Sequence, residues 1–113
     1  MSSEMTMTIM ELVVNSGSSR SYAMEAIAHA KKFQFEEAAE LIQKAEEEII
    51  TAHRSQTDLI HKEAAGDKTE LSLLLVHSQD HLMTALVVKD MAKEFIDLYK
   101  ILYKQNGGDV VLD

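Results

Sequence analysis

The chain has no cysteine, no proline and no tryptophan, only four glycines, and an aromatic content of 5%. Without cysteine there can be no disulfide, no thiolate metal site and no cysteine nucleophile. Without proline, and with so little glycine, almost nothing interrupts a helix. The scarcity of aromatic rings means that any core is built from Leu, Ile, Val, Met and Ala. Long apolar runs are missing as well: no stretch reaches the roughly eighteen residues of a membrane span. The opening MSSEMTMTIMELVV has no basic segment of the kind that starts a secretory signal. A cytoplasmic protein with no membrane insertion is the expectation. Basic charge is also short, with 11 Lys and Arg against 19 Asp and Glu and a formal charge of −8. Such a surface repels nucleic acid and suits a basic protein partner, although solubility alone would account for it equally well. There is no P-loop and no kinase-type glycine-rich loop, so direct nucleotide use is not expected.

What is present is helical periodicity. The 113 residues make one domain by length. A first helix is predicted from near Met7: Ile9, Leu12, Val13 and Ser16 recur at helical spacing, and Tyr22, Ala23, Ala26, Ile27 and Ala30 continue the stripe. Its weak point is NSGSSR at residues 15–20, where Gly17 costs roughly 1 kcal/mol relative to alanine. We expect one helix with a small-residue contact there, not a break. KKFQF ends it, with Lys31 and Lys32 at the negative end of the dipole. A second helix is expected over about Glu36 to Lys62, with an apolar stripe through Ala38, Ala39, Leu41, Ile42, Ala45, Ile49, Ala52, Leu59 and Ile60. EAAGDKTE supplies the turn, with Gly66 as the residue just past the helix end. Asp67, with Glu70 three residues on, is the expected cap of a third helix over about Lys68 to Tyr103, roughly 50 Å long. Residues 1–104 then form the domain, and residues 105–113, QNGGDVVLD, read as a mobile tail. The fold class is all-α, an antiparallel three-helix up-down-up bundle.

The third helix is apolar nearly all round. One face carries Leu73, His77, Asp80, His81, Thr84, Val88, Met91 and Phe95, and Leu75, Leu82 and Leu86 lie opposite. A helix in a three-helix monomer buries only one stripe, so a second copy or a permanent partner must cover the other.

Into this apolar segment the sequence sets His77, Asp80 and His81 at i, i+3 and i+4, on one face and within reach of one another. Three readings compete. The cluster can pin the register of a packed interface, making the protein a non-catalytic oligomeric helical adaptor. It can ligate a metal, although one helix rarely completes a coordination sphere. Asp58 and His61 add a DxxH on the second helix, but the paired Glu-x-x-His and glutamates of a di-iron bundle are absent. Third, a neutral imidazole can accept a group that a partner later removes, with a neighbouring acceptor fixing its tautomer. Spacing alone does not choose. Arg20 and Arg54 could meet phosphate but read more simply as surface residues. His29, His53 and His61 read as surface or packing residues, and Met5, Met7 and Met10 as packing for a terminus.

VHSQDHLMTALVVKDMAKEFIDLY, preceded by KTELSLLL, resembles the signature of the lactose/cellobiose-type enzyme IIA of the bacterial phosphoenolpyruvate-dependent sugar phosphotransferase system. VVNSGSSRSYAMEAI, FEEAAELIQKAEEEI and AHRSQTDLIHKEA extend the resemblance over about Met7 to Lys104. It implies that His77 is the phosphorylated residue, taking a phosphoryl group from phospho-HPr and passing it to the cysteine of the cognate EIIB protein. It implies a homotrimer in which Asp80, gathered with its symmetry mates, holds a divalent cation such as Mg²⁺. His81 and Gln79 would be supporting residues. The departure is Ser78, where the family usually has alanine. Lactose, cellobiose and chitobiose all stay open as the sugar.

Overall fold

The computed structural model describes residues 3–68 and 70–107, and among these the regular elements are three helices and no strand. Helix α1 spans Ser3–Lys31, α2 Phe35–Ala64 and α3 Leu73–Gln105. They lie side by side as an elongated bundle of 60 × 21 × 19 Å. α1 is the central member, packing along both neighbours, while α2 and α3 meet over a shorter length.

The NSGSSR stretch stays helical, as expected, and packing supplies what propensity withholds. Ser16 and Ser19 are fully buried on the inner face of α1. Ser19 Oγ donates to the Ala45 carbonyl of α2 at 2.8 Å, so a hydroxyl spans two closely packed backbones. Below this contact the seam is mostly alanine: Ala23, Ala26 and Ala30 meet Ala38, Ile42 and Ala45, joined by Ala92 and Ile96 of α3. Small side chains let the helices approach, replacing the bulk that aromatic residues would have supplied. A second cluster above it joins Leu12, Ile49, Ala52, Leu82 and Ala85. Gly17 is not the small-residue contact: a methyl group added there meets nothing in its own chain within 4 Å.

The α1–α2 turn passes through Phe33 at φ 60°, a left-handed conformation that costs a non-glycine residue roughly 1–2 kcal/mol. Ring contacts offset it: Phe33 sits 5.0 Å from Tyr103 and 6.0 Å from Phe35, tying the turn to the end of α3. His29 Nδ1 donates to Gln34 Oε1 at 2.6 Å across the same turn. At the far end, Gly66 at φ 95° closes α2 in the role expected of it.

The start of α3 departs from expectation. The cap is Ser72, whose hydroxyl accepts from the Leu75 amide at 3.1 Å, and not Asp67. The Asp67 amide is instead engaged in closing α2, donating to the Lys62 carbonyl at 2.9 Å. Lys68, Glu70 and Leu71 are exposed, so a helical turn there would gain no burial. α3 ends at Gln105, two residues beyond the expected Tyr103. The expected mobile tail falls largely on residues 108–113, outside the described residues.

Two faces of α3 now separate. Ser78, Leu82, Ala85, Ala92 and Ile96 are buried against the bundle. Leu73, Val76, Met83, Val87, Met91 and Leu98 stay exposed, Leu73 at 86%. Of the face named from the sequence, Leu73, Met91 and Phe95 are uncovered in the single chain, and Val76, Met83 and Val87 widen the exposed apolar surface beyond it. Replacing the cap, Ser72→Ala, should lower stability by about 1 kcal/mol in urea denaturation, with Asp67→Ala close to neutral.

Candidate functional site

The geometry of α3 sets His77 and His81 side by side, keeps Asp80 at the edge of the same side, and turns Gln79 the other way. His77 is exposed, and His81, one turn later, is half-buried. Their rings stand edge to face, with centroids 4.4 Å apart at 84°. His77 Nε2 and His81 Nε2 approach to 3.0 Å. An N···N contact of that length is a hydrogen bond only if one nitrogen carries a proton and the other a lone pair. The close partner of His77 within this chain is therefore His81, one of its neighbours on the shared face.

Asp80 projects from the exposed apolar face between Val76, Met83 and Val87. Among the described residues, no group of three or more His, Cys, Asp or Glu side chains could hold a metal ion. A cation at Asp80 would thus need carboxylates from further copies of the chain. Asp58 and His61 are both exposed on α2.

Gln79 turns to the other side of the helix. Its Oε1 accepts from Gln56 Nε2 at 2.6 Å, a cross-link between α3 and α2. Ser78 is fully buried, and its hydroxyl donates to the Leu75 carbonyl at 2.6 Å, so it stays off the His77 face as the sequence spacing indicated. Gln56 was not legible as a site residue, because its partner lies 23 positions away in sequence.

His77 borders a shallow hollow with Leu73 and Leu74. His81 lines the adjoining groove with Val13, Gly17, Ser18, Arg20 and Ser21 of α1. The glycine that costs α1 helix stability thus opens onto this groove. Arg20 lies on the groove, and Arg54 is exposed on α2. Met10 and Val14 of α1 continue the apolar surface outward. Acidic side chains dominate the exposed surface of α2, including Glu36, Glu37, Glu40 and Glu47. Glu46 pairs with Lys93 at 3.5 Å and reaches Lys89 at 4.0 Å. Such surface pairs contribute little to stability. No helix among the described residues is long and apolar enough to cross a membrane.

Chemically, the site offers an exposed imidazole that can present a lone pair, a second imidazole able to donate to it, and an apolar rim. That suits transfer of a small anionic group between macromolecules better than capture of a free substrate in a closed pocket.

Comparison with known proteins agrees with this arrangement. Residues 7–100 match the family model described as PTS system, lactose/cellobiose specific IIA subunit. The chain is 50% identical over 110 residues to the lichenan-specific phosphotransferase enzyme IIA component of Bacillus subtilis, covering 97% of this chain and 100% of that one. The crystal structure of a cellobiose-specific enzyme IIA from Bacillus anthracis superposes with a TM-score of 0.89 at 51% identity, covering 92% of this chain and 95% of the other. A solution structure of the chitobiose IIA–HPr complex from Escherichia coli contains a similar chain, with a TM-score of 0.77, 36% identity and coverage of 89% and 98%.

The Gln56–Gln79 contact should behave as a structural tie. A double-mutant cycle of Gln56→Ala and Gln79→Ala in urea unfolding should give a coupling of about 0.5–1.5 kcal/mol.

Proposed function

The chain belongs to the lactose/cellobiose-specific IIA family of the sugar phosphotransferase system, a phosphotransferase component, and from that premise we propose that it is a cytoplasmic phosphoryl carrier working through His77. His77 accepts a phosphoryl group from phospho-HPr and passes it to the cysteine of its EIIB partner. The observation that carries the reading is the exposed His77 imidazole beside a shallow apolar hollow of Leu73 and Leu74, inside a family match that spans residues 7–100. Transfer between two nucleophiles needs alignment more than elaborate machinery, which a histidine fixed on a rigid helix can supply. HPr as donor is supported by the likeness to the IIA chain of a complex with HPr. The acidic surface of this chain, at −8, favours a basic partner that must dock and leave repeatedly. Identity of 50% to a lichenan component and 51% to a cellobiose component supports a β-linked glucose oligosaccharide as the transported sugar.

The working form is a homotrimer. Leu73, Val76, Met83, Val87 and Met91 are large, exposed and aligned on one helix, and burial against two further copies would remove them from water. Three Asp80 carboxylates would then face one another inside an apolar interface. Their repulsion needs a counter-charge, and a divalent cation such as Mg²⁺ would supply it. Asp80 is exposed on that face and belongs to no metal-holding group within its own chain among the described residues, which fits a shared ion and not a one-chain site.

Incubation with phosphoenolpyruvate, enzyme I and HPr should place acid-labile phosphate on the wild type and none on His77→Ala. Unlabelled wild-type protein would overturn the carrier reading and leave a helical adaptor in its place. For the assembly, sedimentation should give a trimer mass whose melting midpoint rises with Mg²⁺. Asp80→Asn should keep the trimer and lose the dependence on the ion, because the charge that required it is gone.

A further inference from the structure

We propose that His81 is the positioning residue of the site: it keeps His77 Nε2 in its lone-pair form for attack and then donates to the phosphoryl group once it has arrived. This rests on the carrier reading of His77 and adds a role for its neighbour.

The two rings are one helical turn apart, so the backbone of α3 alone brings them together. Their Nε2 atoms are 3.0 Å apart, a distance at which a hydrogen bond requires one proton between them. Two assignments are possible, with opposite consequences. If His81 Nε2–H donates, His77 Nε2 keeps its lone pair and His77 carries its own proton on Nδ1. If His77 Nε2–H donates, Nε2 is blocked and only Nδ1, next to the backbone, could react. Burial separates the two rings. His81 is half-buried against the groove formed with Val13 and Gly17 of α1, whereas His77 is exposed. The restrained ring suits a fixed donor, and the exposed ring suits the group that meets a partner.

In the transfer, the lone pair of His77 Nε2 forms the bond to phosphorus as the bond from phosphorus to the donor atom breaks. The electron pair of that bond leaves with the donor. The Nδ1 proton of His77 is released to water, and the donor takes up one proton, so charge and protons balance. As Nε2 becomes substituted, the His81 N–H loses its acceptor and finds a phosphoryl oxygen in the same direction. A charge-assisted hydrogen bond replaces a neutral one. The same donor serves the return step, because it binds the group without a covalent bond.

The test uses the full chain with three variants. In the unphosphorylated wild type, ring ¹⁵N spectra should show His77 protonated on Nδ1 and bare on Nε2. After incubation with phosphoenolpyruvate, enzyme I and HPr, ³¹P-coupled spectra should place the phosphorus on Nε2. His81→Ala should mix the His77 tautomers and slow phosphoryl acceptance by about ten- to a hundredfold. His81→Gln, which retains an N–H donor, should stay within a few-fold of wild type. Helical content and sedimentation mass distinguish loss of the donor from loss of the fold. A protonated His77 Nε2 in the wild type overturns the proposal, and so does a folded His81→Ala with wild-type rate and tautomer. Wild type that takes no phosphate, or His77→Ala that still takes it, instead overturns the carrier reading.

Discussion

The seating of Leu82 against α1 and α2 sets the rotation of α3, and most of the molecule's chemistry follows from that rotation. Leu82 is fully buried with Leu12, Ile49, Ala52 and Ala85. At about 100° per residue, fixing Leu82 inward sends Asp80 about 160° away, to the outer face. His77 lies about 140° away on the α1 side, and Gln79 about 60° away toward α2. One buried leucine therefore assigns three neighbouring polar residues to three environments. Ser78, on the buried side, is satisfied by the carbonyl one turn before it, so the core tolerates its hydroxyl.

The bundle achieves this with small residues where other proteins use bulk. The alanines and serines of α1 bring its backbone close to α2, and Ser19 bridges to the Ala45 carbonyl. Narrow packing leaves the long outer faces of α1 and α3 without internal partners, which is why methionines and valines lie exposed there. A thin three-helix bundle cannot cover a helix that is apolar on two sides. Surplus apolar surface and a solvent-facing histidine are thus two products of one architecture. The first needs a cover that the single chain does not supply, and the second is open to a partner that docks and leaves.

Much of this was legible in the residues. Absent proline and scarce glycine, with continuous helical periodicity, announced three long helices. The unbroken course of α1 through NSGSSR and the closing role of Gly66 were read correctly. The doubly apolar character of α3 was also plain, because it depends only on a 3.6-residue repeat. The pattern HxxDH placed His77, Asp80 and His81 on one face, and the longer signature around it named the family. The cap of α3 is Ser72 and not the Asp67 that the local pattern favours. Asp67 and Glu70 form a good capping pattern locally, but whether a turn forms there depends on what it can bury, and those side chains bury nothing.

The sequence by itself determined the helical class, the order and approximate length of the helices, and the face shared by His77, Asp80 and His81. These are local properties, set by backbone propensity and by a period that repeats every few residues. Only the tertiary structure decided that Gln79 turns to Gln56 and that Gly17 opens onto the groove beside His81. Each depends on the rotation of one helix against another, which side-chain packing between distant segments fixes and no local pattern encodes.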